Sequence, residues 1–290
     1  MFLKPSFVGC VFFFFFPLSA DLNIVIKKPL NMEPKDKKAF IASENEIIEE
    51  LHKKISYGDT YEIILAGAVN WRRDIEKKLH KNGWSTLGLR RKKYSFYFFT
   101  NIQDIPLPDT SKMARAVLDR GVIAPYYFET FDASFPFKLY QFFGEFQDTL
   151  IPLTKIIEYP GFNYRKNGPL LEIYGKNCRE PIVFEHTNEK ELGKLDTILK
   201  ALYQNCLTAS NGELFSKLGL FYWWFVHAKP FIRGSNSIGR VLVLSVLKSK
   251  GESLSFKEGV FPHFEALFEP NGEGYGSIFR DFFDEEIKNG

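Results

Sequence analysis

The sequence predicts a mostly α protein of the α+β class, and three stretches carry that expectation. Leu214–Ala228 is almost uniformly apolar and includes Trp223 and Trp224, the pattern of a helix buried on every side. Glu189–Asn205 sets Leu192, Leu195, Ile198, Leu199 and Leu202 on one helical face, and Arg240–Lys250 is a second apolar helix stopped by Gly251. Leu170–Tyr174 and Ile182–Phe184 read as two short strands around the turn Gly175-Lys176-Asn177, a small β-hairpin. Of the 290 residues, 45% are hydrophobic and 25% charged, enough apolar content to exclude general disorder. A formal charge of +3 is too balanced for a dedicated nucleic-acid binder. Cys10, Cys178 and Cys206 make no disulfide framework, and no C-x-x-C pair offers a zinc site.

Along the chain, residues 1–20 carry the three parts of a secretory leader: a positive start at Lys4, an apolar run Phe7–Leu18, and small residues at Ser19-Ala20. That run is 12 residues, short of the roughly 20 needed to span a bilayer, so no transmembrane span is expected. The alternatives are a buried N-terminal strand or a true start at Met32. A cleaved leader makes the protein exported (secreted or periplasmic); without cleavage it is cytoplasmic. Export would leave Cys178 and Cys206 able, though not required, to form one disulfide.

Residues 21–105 form an N-terminal α/β extension, and residues 106–290 a helical domain. Lys27–Lys38 reads as a surface connection. Ser43 with Glu46 makes a capping box ahead of Ile47, Ile48, Leu51 and Ile55, which predicts a helix over about 44–56. Two further helices are expected at Tyr61–Val69 and Arg73–His80, ending at Gly83. Arg90-Arg91-Lys92-Lys93, ahead of the aromatic stretch Tyr94–Phe99, reads as a solvated strand edge. Ser111–Asp119 is a candidate helix, and Phe142, Phe143 and Phe146 are a core stripe.

The loop between the two apolar helices carries the chemistry. It runs His227-Ala228-Lys229-Pro230-Phe231-Ile232-Arg233-Gly234-Ser235-Asn236-Ser237-Ile238-Gly239-Arg240. A Gly/Ser/Asn run opening onto a helix presents backbone N–H groups at a positive dipole end, the recipe for an anion cradle. Lys229, Arg233 and Arg240 add cations; the competing reading is an ordinary helix–helix connection with the cations solvated.

Phe225 to Arg240 resembles the Fic/Doc (Fido) motif, F-x-x-I-H-P-F-x-(D/E)-G-N-G-R-x-x-R, with Phe225, Pro230, Phe231, Gly234 and Arg240 in register. Leu170, Leu171, Glu172 and Ile173 are similar to that family's flap, which binds extended peptides. Phe264–Leu267 and Phe279–Phe283 resemble its C-terminal helices, so the resemblance covers about 160–287. It implies a Fic-like helical bundle with a flap. Active members use the motif histidine as base and the acid to hold magnesium, and transfer AMP to a protein hydroxyl. Here Lys229 replaces the histidine and Arg233 the acid, while Ser235, Asn236 and Ser237 replace Asn-Gly-Arg. A protonated lysine is no base unless strongly shifted.

The resemblance therefore implies a degenerate, pseudoenzyme-like Fic protein that binds phosphate, nucleotide or peptide without metal-dependent transfer. Its expected phosphate site is Arg233, Gly234, Ser235, Asn236, Ser237, Gly239 and Arg240, with no metal and no required cofactor; ATP or another nucleotide would be the ligand or substrate. One alternative is a nucleotidyl transferase with altered residues, for which Lys229 and His227 are the catalytic candidates. Another is an interaction protein with an inert loop. A protein partner is expected in an effector-like role, and no specific nucleic acid.

His227 lies two residues before the motif position, about 200° around the helix, which turns it away from the loop. His52, His80, His186 and His263 lack metal-ligand spacing, no G-x-S-x-G elbow occurs, and Asn271–Gly276 reads as a flexible loop.

Overall fold

A computed structural model describes residues 34–79, 87–91, 99–101, 126–130, 136–158, 182–258, 260–269 and 271–284. The leader, the candidate helix Ser111–Asp119 and the flap residues Leu170, Leu171, Glu172 and Ile173 lie outside them.

The described chain is mostly helical, with one antiparallel sheet. Its helices are α1 (Pro34–Ser56), α2 (Tyr61–Leu79), α3 (Leu192–Thr208), α4 (Leu214–Ala228), α5 (Ser235–Ser249), α6 (Pro262–Phe268) and α7 (Gly272–Ile278). The strands are β1 (Phe99–Asn101), β2 (Tyr126–Thr130), β3 (Pro136–Phe146), β4 (Thr149–Glu158) and β5 (Ile182–Glu185), ordered β1-β5-β4-β3-β2.

The apolar helix α4 is the axis of the core. Leu218, Phe221, Tyr222 and Phe225 are completely buried, and Trp223 and Trp224 nearly so. Helices α3, α5 and α7 pack around it, and the sheet closes one side. Two glycines let that happen. A Cβ on Gly144 of β3 would fall 2.4 Å from the Trp224 ring, so only glycine lets α4 lie on the sheet. A Cβ on Gly219 would fall 2.7 Å from the Gly276 Cα, so small residues set how closely α4 and α7 cross.

Several expectations hold. Helix α4 occupies the predicted Leu214–Ala228, and α3 buries Leu192, Leu195, Ile198, Leu199 and Leu202. Strand β5 covers the predicted Ile182–Phe184. Others are corrected. The stretch from Pro34 is already helix, so Ser43 is no cap; its Oγ accepts a hydrogen bond from Trp71 Nε1 at 3.1 Å. Tyr61–Leu79 is one helix rather than two, because Asn70-Trp71 turns Trp71 into the core without interrupting the helical period. Phe142, Phe143 and Phe146 sit on a strand, with a register shift between Gln141 and Phe143 that breaks the alternation. Phe142 is buried against His227. Instead of a two-strand flap, Ile182–Glu185 joins a five-stranded sheet between β4 and β1. Asn271 caps helix α7, accepting from the backbone N–H groups of Glu273 and Gly274, so this segment is no flexible loop.

The candidate disulfide is not formed. Cys206 is a buried free thiol whose Sγ donates to the Leu202 carbonyl at 3.2 Å, and burial pushes its pKa up to about 12. Cys178 lies outside the described residues. No helix among the described residues is long and apolar enough to cross a membrane.

Candidate functional site at the α4–α5 turn

Helix α4 ends at Lys229, which adopts φ 39°, ψ 65° in the left-handed region, and α5 starts after Gly234, at φ 85°. The intervening segment runs beside residues 87–91. Arg91 N–H donates to the Pro230 carbonyl at 3.0 Å, Ile232 N–H to Leu89 at 2.8 Å, and Gly88 N–H to Arg233 at 3.0 Å. A stretch of the N-terminal half is thereby hydrogen-bonded along the turn like a neighbouring strand.

The last carbonyls of α4 would be orphaned without side-chain donors. Thr154 of β4 and Thr187 both donate hydroxyl protons to the His227 carbonyl, at 3.3 and 3.1 Å. Arg91 serves the next two. Its Nε donates to the Lys229 carbonyl at 2.6 Å, and its Nη2 donates to those of Ala228 at 2.7 Å and Thr187 at 2.6 Å. A cation at a helix C-terminus also suits the negative end of the macrodipole.

That leaves one end of the guanidinium over. Arg91 is buried, and its Nη1 has no hydrogen-bond partner. Burial lowers its pKa to about 10, still fully charged at neutral pH. Reading Arg91 as part of a solvated strand edge is therefore corrected: it turns inward because three carbonyls are there to receive it. Arg90, its neighbour, pairs with Asp196 and lies 5.9 Å over the Phe231 ring. A run of four cations gives no sign of which one turns in, so sequence reasoning missed Arg91.

Lys229 is half-buried beside this group. Burial first, then the positive charges of Arg91 and Arg233, lower its pKa to about 7. Lys229 thus feels the charges of both Arg91 and Arg233, while Arg91 also feels the negative charge of Glu189. At His186, burial, with the charges of Lys229 and Arg91, keeps the imidazole neutral.

The other expected site residues go elsewhere. Arg240 projects from α5 to Glu44 of α1, with Nε and Nη2 each 3.4 Å from a carboxylate oxygen, and lies 4.9 Å over the Phe256 ring. It does not join Lys229 and Arg233. Ser235, Asn236 and Ser237 are the first turn of α5 rather than a loop, and their side chains have internal duties. Ser235 Oγ bonds both the N–H and the carbonyl of Phe231 at 3.2 Å. Asn236 Oδ1 accepts from Tyr222 Oη at 2.7 Å, and Ser237 Oγ from Arg72 Nε at 3.0 Å. Gly234 faces Arg72 and Leu87, and Gly239 lets α5 approach Tyr222 and Phe225.

His227 is completely buried between Phe142 and Trp223, with Nε2 3.0 Å from the Ala266 carbonyl. Desolvation lowers its pKa to about 3, so it is neutral at ordinary pH. Its ring lies on the core side of α4, away from the turn, as the helical offset from position 229 requires. Among the described residues no group of three or more His, Cys, Asp or Glu could hold a metal ion.

A family model described as avirulence protein, AvrB/AvrC, matches residues 125–286, more than half of the chain. The chain belongs to the AvrB/AvrC avirulence family. This overturns the assignment to Fic/Doc and the degenerate Fic-type binding module, adenylyl transfer and inert-loop readings built on it, since no Fic family model matches. The geometry shows how little the motif resemblance held. Of its in-register residues, Phe225 and Phe231 are packing positions, and Arg240 is an ion-pair partner of α1. No curated protein matches the chain. The AvrB/AvrC match begins at 125, so α1, α2 and the 87–91 stretch, which supplies Arg91, lie before it.

Proposed function

We propose that this AvrB/AvrC-family protein is an effector that engages a protein partner by holding an acidic segment of it at the turn formed by Arg91, Lys229 and Arg233. The observation that carries this reading is the buried Arg91 guanidinium, whose Nη1 has donors left over beside two further cations. A carboxylate entering the group would satisfy that nitrogen. A carboxylate suits that nitrogen because a hydrogen bond between a guanidinium N–H and an ionised oxygen is charge-assisted. Export through the leader 1–20 belongs to the same proposal.

The experiment is fluorescence anisotropy with a labelled hexaglutamate peptide at low and physiological salt. Binding by the wild-type protein, weakened at least about tenfold by Arg233→Glu and by added salt, supports the reading. No binding overturns it. Displacement or exclusive binding by ATP, the nucleotide alternative, would reassign the site to a small phosphate ligand and remove the acidic segment.

A further inference from the structure

We propose that the edge formed by residues 228–233 is a recognition site for an extended peptide of the pattern Leu-Gly-x-x-Arg. In this chain its own residues 87–91 fill the site, and a segment of that pattern on a partner protein can take their place. The inference does not rest on the acidic-segment reading, since here the partner supplies an arginine rather than a carboxylate.

The edge lies inside the family region, whereas its occupant precedes the match, which begins at 125. Residues 87–91 provide the partners of the Ile232 N–H and of the Ala228, Lys229, Pro230 and Arg233 carbonyls. Buried backbone groups of this kind stay paired in a folded protein, so the edge calls for an added strand. Three positions of that strand are constrained. Arg91 spans the carbonyls of Thr187, Ala228 and Lys229 with one planar fork, which a lysine does not match. Gly88 adopts φ 63°, and a Cβ there would fall 3.1 Å from Val69 Cγ1 and 3.2 Å from the Val69 carbonyl oxygen. Leu87 is buried, while Leu89 is exposed and carries no such requirement.

The way the occupant is held permits exchange. Leu87 is its one buried apolar side chain, and the rest of its hold is hydrogen bonds and the Arg90–Asp196 ion pair. That pair is partly exposed and adds little. A segment with so little buried apolar surface opens locally, without unfolding the rest of the chain. An incoming strand of the same pattern makes the same bonds, so exchange leaves no backbone group orphaned.

The test is amide hydrogen exchange of the full wild-type chain, with and without the synthetic peptide Leu-Gly-Leu-Arg-Arg at millimolar concentration. Whenever residues 87–91 open, the peptide takes the edge and holds them out. The Gly88 and Arg91 amides, which donate to Arg233 and Pro230, then exchange faster. The factor is one plus the ratio of peptide concentration to its dissociation constant, and at least about threefold is expected. The Ile232 amide, covered by either strand, should not accelerate. Peptides carrying Arg91→Lys or Gly88→Val keep the charge and should leave the rates near those without peptide. No acceleration at Gly88 and Arg91, with the chain folded by circular dichroism, overturns the proposal. Equal acceleration at all three amides also overturns it, since the peptide would then loosen the turn as a whole. So does equal acceleration by the three peptides, which would show charge acting alone.

Discussion

The Nε of Arg91 lies 2.6 Å from the carbonyl oxygen of Lys229, tying a residue outside the family region to the last turn of the central helix. One guanidinium thus joins α4, the 87–91 stretch and Thr187. The consequences can be measured.

Arg91→Met should destabilise the protein by about 3 kcal/mol, because the carbonyls of Thr187, Ala228 and Lys229 lose their donor in a buried place. Arg91→Lys keeps the charge but not the fork, and should fall between wild type and Met. Urea denaturation midpoints at constant slope provide the comparison.

Stability should depend on pH in two windows. His227 has a folded pKa of about 3, below the ordinary value of 6.5, so the unfolded chain binds the extra proton between those values. Stability therefore falls as pH drops below about 6.5, with His227 alone contributing a loss of about 2 kcal/mol by pH 5. Half-buried His263 acts in the same direction, its pKa lowered to about 3 by desolvation and by Arg240. His227→Gln should flatten this slope. Lys229, lowered from 10.5 to about 7, is deprotonated earlier in the folded state, so stability should rise with pH between those two values. Urea titrations at pH 5, 7 and 9 test both signs; a flat profile in either window contradicts the corresponding residue's burial.

Glycine substitutions should separate by location. Gly219→Ala forces a methyl within 2.7 Å of the Gly276 Cα and should cost about 2–3 kcal/mol. Gly193→Ala, in the first turn of α3 with nothing within 4 Å of the new carbon, should be neutral or stabilising by about 0.5–1 kcal/mol. Thermal melting of the two variants makes the comparison.

Arg240 should behave as a strut. Its pair with Glu44 is partly buried, so a double-mutant cycle with Arg240→Met and Glu44→Gln should show about 1 kcal/mol of coupling. Hexaglutamate binding should survive Arg240→Met while it is lost in Arg233→Glu. Equal loss in both would place Arg240 in the site after all.

Helix α4 and the buried face of α3 were legible from sequence alone, because hydrophobic periodicity is local and those helices are buried by their own residues. The turn's position and its positive charge were legible for the same reason. Which cation would do what was not. Lys229, Arg233 and Arg240 look equivalent along the chain, yet Glu44, almost two hundred positions away, takes Arg240 out of the group, and Arg91, buried by three distant carbonyls, enters it. A charged side chain goes wherever the fold supplies a counter-charge or an orphaned backbone oxygen, and those partners are set by which elements pack together. Tertiary structure alone decided that.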